Sequence, residues 1–349
     1  MSPADSQRRC AATSDGPASA SRRVLVTGAT GFIGYEVARQ LAAAGRRPRL
    51  LVRRRERGRL LAPLDAELVY GDLMKPATLS RAVEGVDAII HLGARATFER
   101  YSKIQPSIVG GSLALFRAAR QAGVRHLVLA SSLLVYGSTA KPIDEKTRPE
   151  PQIGYGRAKL EAERALREQG SSDLSLGILR LPHVYGARSF LFDRLRSGLV
   201  LLPGSGTNTH GHLHVEDAAR LLIAAADQGW SGTAPVADDV PTCWNDFFAV
   251  LRDHYGGFRA LRAPGGLALV GAWALERLAD LRGAPTLFAP DTVRGWRMNL
   301  PVAPRQVWPE LGLEPIHASV EEGLPASLDE CVSFRWRHPV RDASRGLSG

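Results

Sequence analysis

One stretch limits what this chain can fold into more than any other: Val24-Leu25-Val26-Thr27-Gly28-Ala29-Thr30-Gly31-Phe32-Ile33-Gly34. Its apolar opening reads as a buried strand. Gly28, Gly31 and Gly34 follow at three-residue spacing, and Glu36 to Leu41 read as a helix that Gly45 stops. Strand, glycine turn and helix in that order form the first unit of a dinucleotide-binding fold. Gly28 permits the tight turn, Gly31 lets backbone approach a pyrophosphate, and Gly34 lets helix and strand pack closely. The helix N-terminus then offers unpaired N–H groups to phosphate.

The alternation continues. Apolar runs at 49–52, 66–70, 88–92, 127–130 and 175–179 are predicted strands, and helices are predicted over 76–84, 108–122 and 155–168. Several of these strands are apolar throughout, which argues for a parallel sheet covered on both faces. The expected fold is therefore α/β, a Rossmann-type doubly wound parallel sheet with a smaller C-terminal substrate lobe. After Pro182 the pattern loosens. A helix is predicted over 218–226 with Asp217 as its cap, and short helices with Pro/Gly loops follow Pro241. The predicted division is a disordered leader (1–21), a dinucleotide-binding domain (22–182, with 211–240 returning to it), a substrate lobe (183–210 and 241–335) and a flexible tail (336–349).

At 349 residues and 44% hydrophobic, the chain can bury a large core. Its net charge is +10. The arginines are scattered and no aromatic-interleaved signature accompanies them, so an anionic small ligand explains the charge better than nucleic acid. Cys10, Cys243 and Cys331 lie far apart without metal-ligand spacing, which predicts free thiols in a reducing, cytoplasmic setting. Residues 1–21 lack the apolar core of a signal peptide. The longest apolar run, 265–275, is too short to span a bilayer, which needs about 20 residues. Residues 267–281 read as an amphipathic helix suited to a membrane surface, to a lid over an apolar pocket, or to plain core.

Tyr155 and Lys159 are four apart on a predicted helix and share one face. A free tyrosine has a pKa near ~10. A neighbouring ammonium favours phenolate and lowers that value, so such a phenol can pass a proton to or from a carbonyl oxygen while a hydride moves elsewhere. Ser132, at the end of the fifth predicted strand, is placed to hold the same oxygen. That strand end and the glycine turn lie at the carboxyl edge, where such sheets bind ligands.

From about residue 23 to 328 the chain resembles the extended short-chain dehydrogenases/reductases, also called the NAD-dependent epimerase/dehydratase family. The matching pieces are TGATGFIG at 27–34, GDL at 71–73, HLGA at 91–94, SSLLVYG at 131–137, YGRAK at 155–159, RLPHVYG at 180–186 and HVEDAA at 214–219. The resemblance implies that Ser132, Tyr155 and Lys159 form a catalytic triad, Lys159 also holding the nicotinamide ribose. It assigns Gly28, Thr30, Gly31, Phe32 and Ile33 to the cofactor turn and Asp72 and Leu73 to the adenine. Leu92, Gly93 and Ala94 fall on the pyrophosphate and ribose path, and Pro182 to Val184 at the carboxamide. His210, His212 and His214 alternate and could share one strand face as metal ligands do, but the resemblance already explains His214, the other two are expected at the surface, and no metal is expected. Two positions depart from the family pattern. Ile108 stands where an Asn usually serves a proton relay, and His183 stands where many sugar-nucleotide members carry Asn. The Leu-Pro-x-x-Tyr-Gly form is closer to the hydroxysteroid dehydrogenase and dihydroflavonol reductase branches.

Cofactor choice follows from charge. An acid at the end of the second strand would bind a ribose 2′-hydroxyl; here Arg53 and Arg54 stand instead, and guanidinium suits a 2′-phosphate. NADP(H) is favoured, with NAD(H) the alternative. The sequence thus predicts an NAD(P)-dependent oxidoreductase acting on a carbonyl or secondary alcohol of a moderately apolar small molecule, compatible with a homodimer. The rival readings are an NAD-dependent nucleotide-sugar epimerase or dehydratase, with Arg188, Arg294 and Arg297 as candidate phosphate ligands, and a non-catalytic NADP-sensing protein.

Overall fold

A computed structural model describes residues 22–170, 173–284, 286–303 and 307–332. The leader and tail expected at 1–21 and 336–349 lie outside the described residues. Strands β1 (Val24–Thr27), β2 (Arg49–Val52), β3 (Glu67–Tyr70), β4 (Ala88–His91), β5 (His126–Ser132) and β6 (Ser175–Leu181) come first. Then follow β7 (His183–Tyr185), β8 (Leu199–Pro203), β9 (Thr209–His210), β10 (His212–His214), β11 (Gly232–Pro235), β12 (Thr242–Cys243) and β13 (Arg259–Ala263). Seven of these form one sheet in the order β11-β6-β5-β4-β1-β2-β3, parallel throughout. Side chains alternate along each strand, so Val24, Val26, Ile90 and Val128 enter the core on one face and Leu25, Ile89 and Leu127 that on the other. Burial on both faces is why these strands read as unbroken apolar runs.

The first face packs on α1 (Phe32–Ala43) and, from the far end of the chain, α8 (Val215–Gln228). Between β2 and β3 runs the single turn α2 (Arg55–Gly58). The second face packs on α3 (Ser80–Val83), α5 (Gly111–Gln121) and α6 (Gly154–Glu168). The helix expected over 76–84 is broken. Thr78 Oγ1 donates to Lys75 O and accepts from Asp72 N–H, 2.7 and 2.9 Å, so a 3₁₀ turn (Pro76–Thr78) replaces the first helical turn. The helix expected from 108 is preceded by α4 (Tyr101–Gln105), and Pro106, lacking an N–H, opens a π turn (Pro106–Gly110) before α5.

The helix expected at 218 starts at Val215, and its cap is His214, whose Nδ1 accepts the Glu216 N–H at 3.4 Å. Asp217 is not the cap. It is buried in the first turn, taking the N–H groups of Ile316 and His317 at 3.0 and 2.9 Å and Arg220 at 2.7 Å, and so ties α8 to the late chain. Helices α7 (Phe190–Arg196), α9 (Trp244–His254) and α13 (Val320–Val332) share a separate core, an aromatic one built on Phe192, Trp244, Phe247, Phe248 and Tyr255. Helices α10 (Gly265–Leu281) and α11 (Pro290–Trp296) pack on each other, and α12 (Val307–Glu310) sends Val307 and Trp308 into the core of the first face.

Candidate functional site

The sheet order reverses between β1 and β4, and ligands bind at such a point beyond the carboxyl ends of the strands. Gly28 sits there with φ of 77°, and a Cβ on it would lie 2.9 Å from Gly93 N. A Cβ on Gly34 would lie 2.2 Å from Gly28 O, the close packing expected of that residue. Gly31 caps α1 with no side-chain hydrogen bond, leaving the first-turn N–H groups for an anion. This bare, tightly folded cradle fits a dinucleotide pyrophosphate.

A buried relay fixes the neighbouring loop and was not anticipated. Thr27 Oγ1 accepts the Gly93 N–H at 3.0 Å, which leaves its own proton for His91 Nδ1 at 2.7 Å. His91 Nε2 lies 2.9 Å from Ser112 Oγ, which donates to Ile108 O at 2.5 Å. Burial pushes His91 down to about 3, so it is neutral. Leu73 packs against Gly93 and Gly111, and Asp72 accepts the Met74 N–H at 3.0 Å. The side chains of Arg53 and Arg54 are exposed after β2 with no hydrogen-bond or ion-pair partner among the described residues, whereas Arg55 stacks on Tyr70 at 4.8 Å.

Ser132 ends β5, and its Oγ accepts the Leu134 N–H at 3.2 Å, leaving the hydroxyl proton free. Helix α6 begins directly over that turn. A Cβ on Gly156 would lie 1.8 Å from Leu134 O, so only glycine permits this approach of Tyr155 towards Ser132. Lys159 Nζ donates to Ala130 O at 2.7 Å and stands 5.8 Å from the Tyr155 ring centroid. Burial lowers Lys159 to about 8, partly offset by the Glu163 carboxylate. One turn further, Glu163 is fully buried and bidentate with Arg180 at 3.1 and 2.6 Å. Arg180 also donates to Tyr136 OH at 2.7 Å.

The expected lowering of Tyr155 is not what the structure gives. Burial raises its phenol to about 12; the half-buried ring packs on Phe98 at 5.2 Å, and the Lys159 ammonium donates to Ala130 O. Ile108 is buried against Ala158 and Ala162 beside Tyr155, so this position contributes an apolar wall and no relay group.

A cavity of about 360 Å³ opens over these groups. It brings together Ser132, Tyr155 and Lys159 with Phe32, Ile33, Leu92, Ala94, Pro182 and Val184. It does not reach Gly28, Thr30, Gly31, Gly93, Asp72, Leu73, Arg53 or Arg54. Phe98, His183, His210, Trp244, Trp296 and Leu300 complete its wall. Trp244 and Trp296 stack at 4.1 Å, with His183 edge-on to Trp244 at 4.9 Å. His183 carried a sequence signal through its place in RLPHVYG and His210 through its alternation with His212 and His214; nothing local marked the two tryptophans.

His210 and His212, expected at the surface, are buried here. Burial lowers His210 to about 4 and His212 well below its usual range, so both are neutral. His214 lies apart from them. Its ligating atoms and those of Glu216 and His317 lie within 4.8 Å of one another, but Ser327 and the Glu216 N–H engage both of its ring nitrogens. Arg294 pairs with Asp291 at 2.7 Å, Arg188 stacks on Tyr35 at 3.8 Å, and the Arg297 side chain runs against Gly204 and Gly265.

The model of the NAD dependent epimerase/dehydratase family matches residues 24–236. Over 277 residues the chain is 35% identical to a ceramide reductase of Caulobacter vibrioides, covering 76% of this chain and 81% of that one. Over 224 residues it is 28% identical to a 2-alkyl-3-oxoalkanoate reductase of Stenotrophomonas maltophilia, covering 61% and 67%. Among solved structures, MoeE5 in complex with UDP-glucose and NAD is similar with a TM-score of 0.71 at 26% identity, covering 89% of this chain and 99% of that one.

Proposed function

The chain belongs to the NAD dependent epimerase/dehydratase family and is an oxidoreductase, and on that premise we propose that it reduces the carbonyl of an alkyl-bearing, apolar molecule with NADP(H). One observation carries the reading. Ser132, Tyr155 and Lys159 face a cavity whose remaining wall is mostly apolar and aromatic, with Leu133, Leu134, Leu300, Trp244 and Trp296, and whose other polar side chains, Ser131, His183, His210 and Thr292, are uncharged. A sugar diphosphate would need cations there, and Arg294 is already held by Asp291. The two reductase relatives are named for a ceramide and a 2-alkyl-3-oxoalkanoate, both alkyl-bearing.

The nicotinamide dinucleotide, when bound, supplies the hydride. Tyr155, protonated throughout the neutral range, gives its phenolic proton to the carbonyl oxygen. Ser132 donates to the same oxygen, since its Oγ accepts the Leu134 N–H and its own proton is free. The Lys159 ammonium compensates the charge left on the phenol and offers its remaining protons to the ribose. The unpartnered Arg53 and Arg54 hold the 2′-phosphate.

The test is to denature the purified protein, identify any released nucleotide, and assay the native protein with NADPH against alkyl-bearing ketones and UDP-sugars. Loosely exchanging NADP(H), with one alcohol formed per NADPH oxidised, is expected. Tightly retained NAD with sugar epimerisation and no net cofactor consumption overturns the reading in favour of an epimerase. Nucleotide binding without turnover of either class overturns it in favour of a sensor.

A further inference from the structure

We propose that α10 docks this protein on the surface of an anionic phospholipid bilayer. The helix is inside-out. Ala272, Glu276 and Asp280 stand four apart and form its inner line. Glu276 is only 3% exposed and accepts the Arg100 N–H at 3.2 Å, while Asp280 is held by Arg100 and Lys103. The outer face carries the large apolar residues: Leu267 is 70% exposed, Val270 65%, Trp273 54% and Leu281 86%, with Leu275 and Leu278 also exposed. A helix facing water shows the reverse arrangement, and a contiguous exposed apolar face marks an interaction site.

Charge selects the occupant. Both acids of α10 are turned inward and paired, so the exposed charges left at this face are Arg277, itself 3.8 Å from Asp280, and Arg282 at the C-terminal cap. The whole chain is +10. A second copy would bring the same cations and the same repulsion, whereas anionic headgroups complement them. The Arg277 guanidinium lies 5.6 Å from the Trp273 ring centroid, a cation–aromatic pair of the kind that suits headgroup depth. At 17 residues and about 1.5 Å rise each, α10 is too short to span a bilayer, so it lies in the interface plane. The small sheet leading into it through Pro264 adds exposed Leu199, Leu201 and Leu261, with Arg259 beside them. Arg100, which grips the inner line, ends the segment whose Ala96 and Phe98 line the cavity.

The docking rests on the surface and not on the reductase reading, so its test uses neither substrate nor cofactor. The full chain is sedimented with vesicles of phosphatidylcholine alone or mixed with phosphatidylglycerol. Binding to the mixed vesicles is expected. Leu267→Ser/Val270→Ser/Leu278→Ser should weaken it by about tenfold or more, with melting temperature and cofactor affinity unchanged. Arg277→Glu/Arg282→Glu should lose the preference for phosphatidylglycerol; if the serine variant does not fold, this variant decides. Wild type left in the supernatant, or equal binding by wild type and a folded variant, overturns the proposal. A wild-type dimer that the serine variant dissociates, without vesicle binding, assigns the face to a second copy instead.

Discussion

Lys159 and Tyr155 share one face of α6, yet the ammonium donates to Ala130 O at 2.7 Å and stands 5.8 Å from the tyrosine ring centroid. Burial drives the two apart, Lys159 down to about 8 and Tyr155 up to about 12. The lysine therefore titrates first. The kcat/KM for the cofactor reports the free enzyme, and it should fall as pH rises through about 8. Stability should move the other way. The folded pKa lies below the model value of 10.5, so burying the charge costs stability below about 8, and that cost is relieved as pH rises from 8 to 10.5. Activity profiles and urea titrations across this window check both signs. A rate that holds until the tyrosine itself titrates would remove Lys159 from the reaction.

Tyr155→Phe should keep the ring packing on Phe98 and delete only the proton. Turnover is expected to fall by about 10²–10⁴-fold, with cofactor affinity within a few-fold by isothermal titration. Undiminished turnover would place the acid elsewhere in the cavity.

Arg53→Ala/Arg54→Ala should weaken NADP(H) by about 2–4 kcal/mol, taking ~1.5–3 kcal/mol for a charged hydrogen bond and discounting for exposure. NAD(H) affinity should hold, because a 2′-hydroxyl does not need the guanidinium. Titration of both cofactors against both proteins decides it; a wild-type preference for NAD(H), or parallel losses, would make these arginines solvated.

Glu163→Gln leaves Arg180 charged and buried, and should cost about 3–5 kcal/mol in urea unfolding. Asp65→Asn, which breaks an exposed pair with Arg47 at 3.4 Å, should cost about 0–1 kcal/mol. Equal losses would mean that the Glu163–Arg180 pair does not brace β5, α6 and β6.

What the sequence determined by itself is local in origin. Each βα unit carries its own periodicity, so the strands before Pro182 and the glycine turn were legible within a residue or three of their bounds. Spacing put Tyr155 and Lys159 on one helix face and Ser132 at a strand end, but only the family resemblance joined the three into one proposed site; the structure puts all three on one cavity. Tertiary structure decided everything that depends on distant partners. Asp217 looked like a cap and instead receives backbone N–H groups a hundred residues away. The strand at Gly232–Pro235 is short and without pattern until β6 pairs with it. Trp244 and Trp296 enter the cavity wall only because α9 and α11 come to lie beside the end of β5. The tyrosine pKa followed the same division: spacing placed an ammonium nearby, but burial raised the phenol instead. In α10, composition gave an apolar helix, and only the contacts of Glu276 and Asp280 with Arg100 and Lys103 showed which side faces out. Periodicity reports that one face of a helix differs from the other; which face is buried is set by the partner that the rest of the chain supplies.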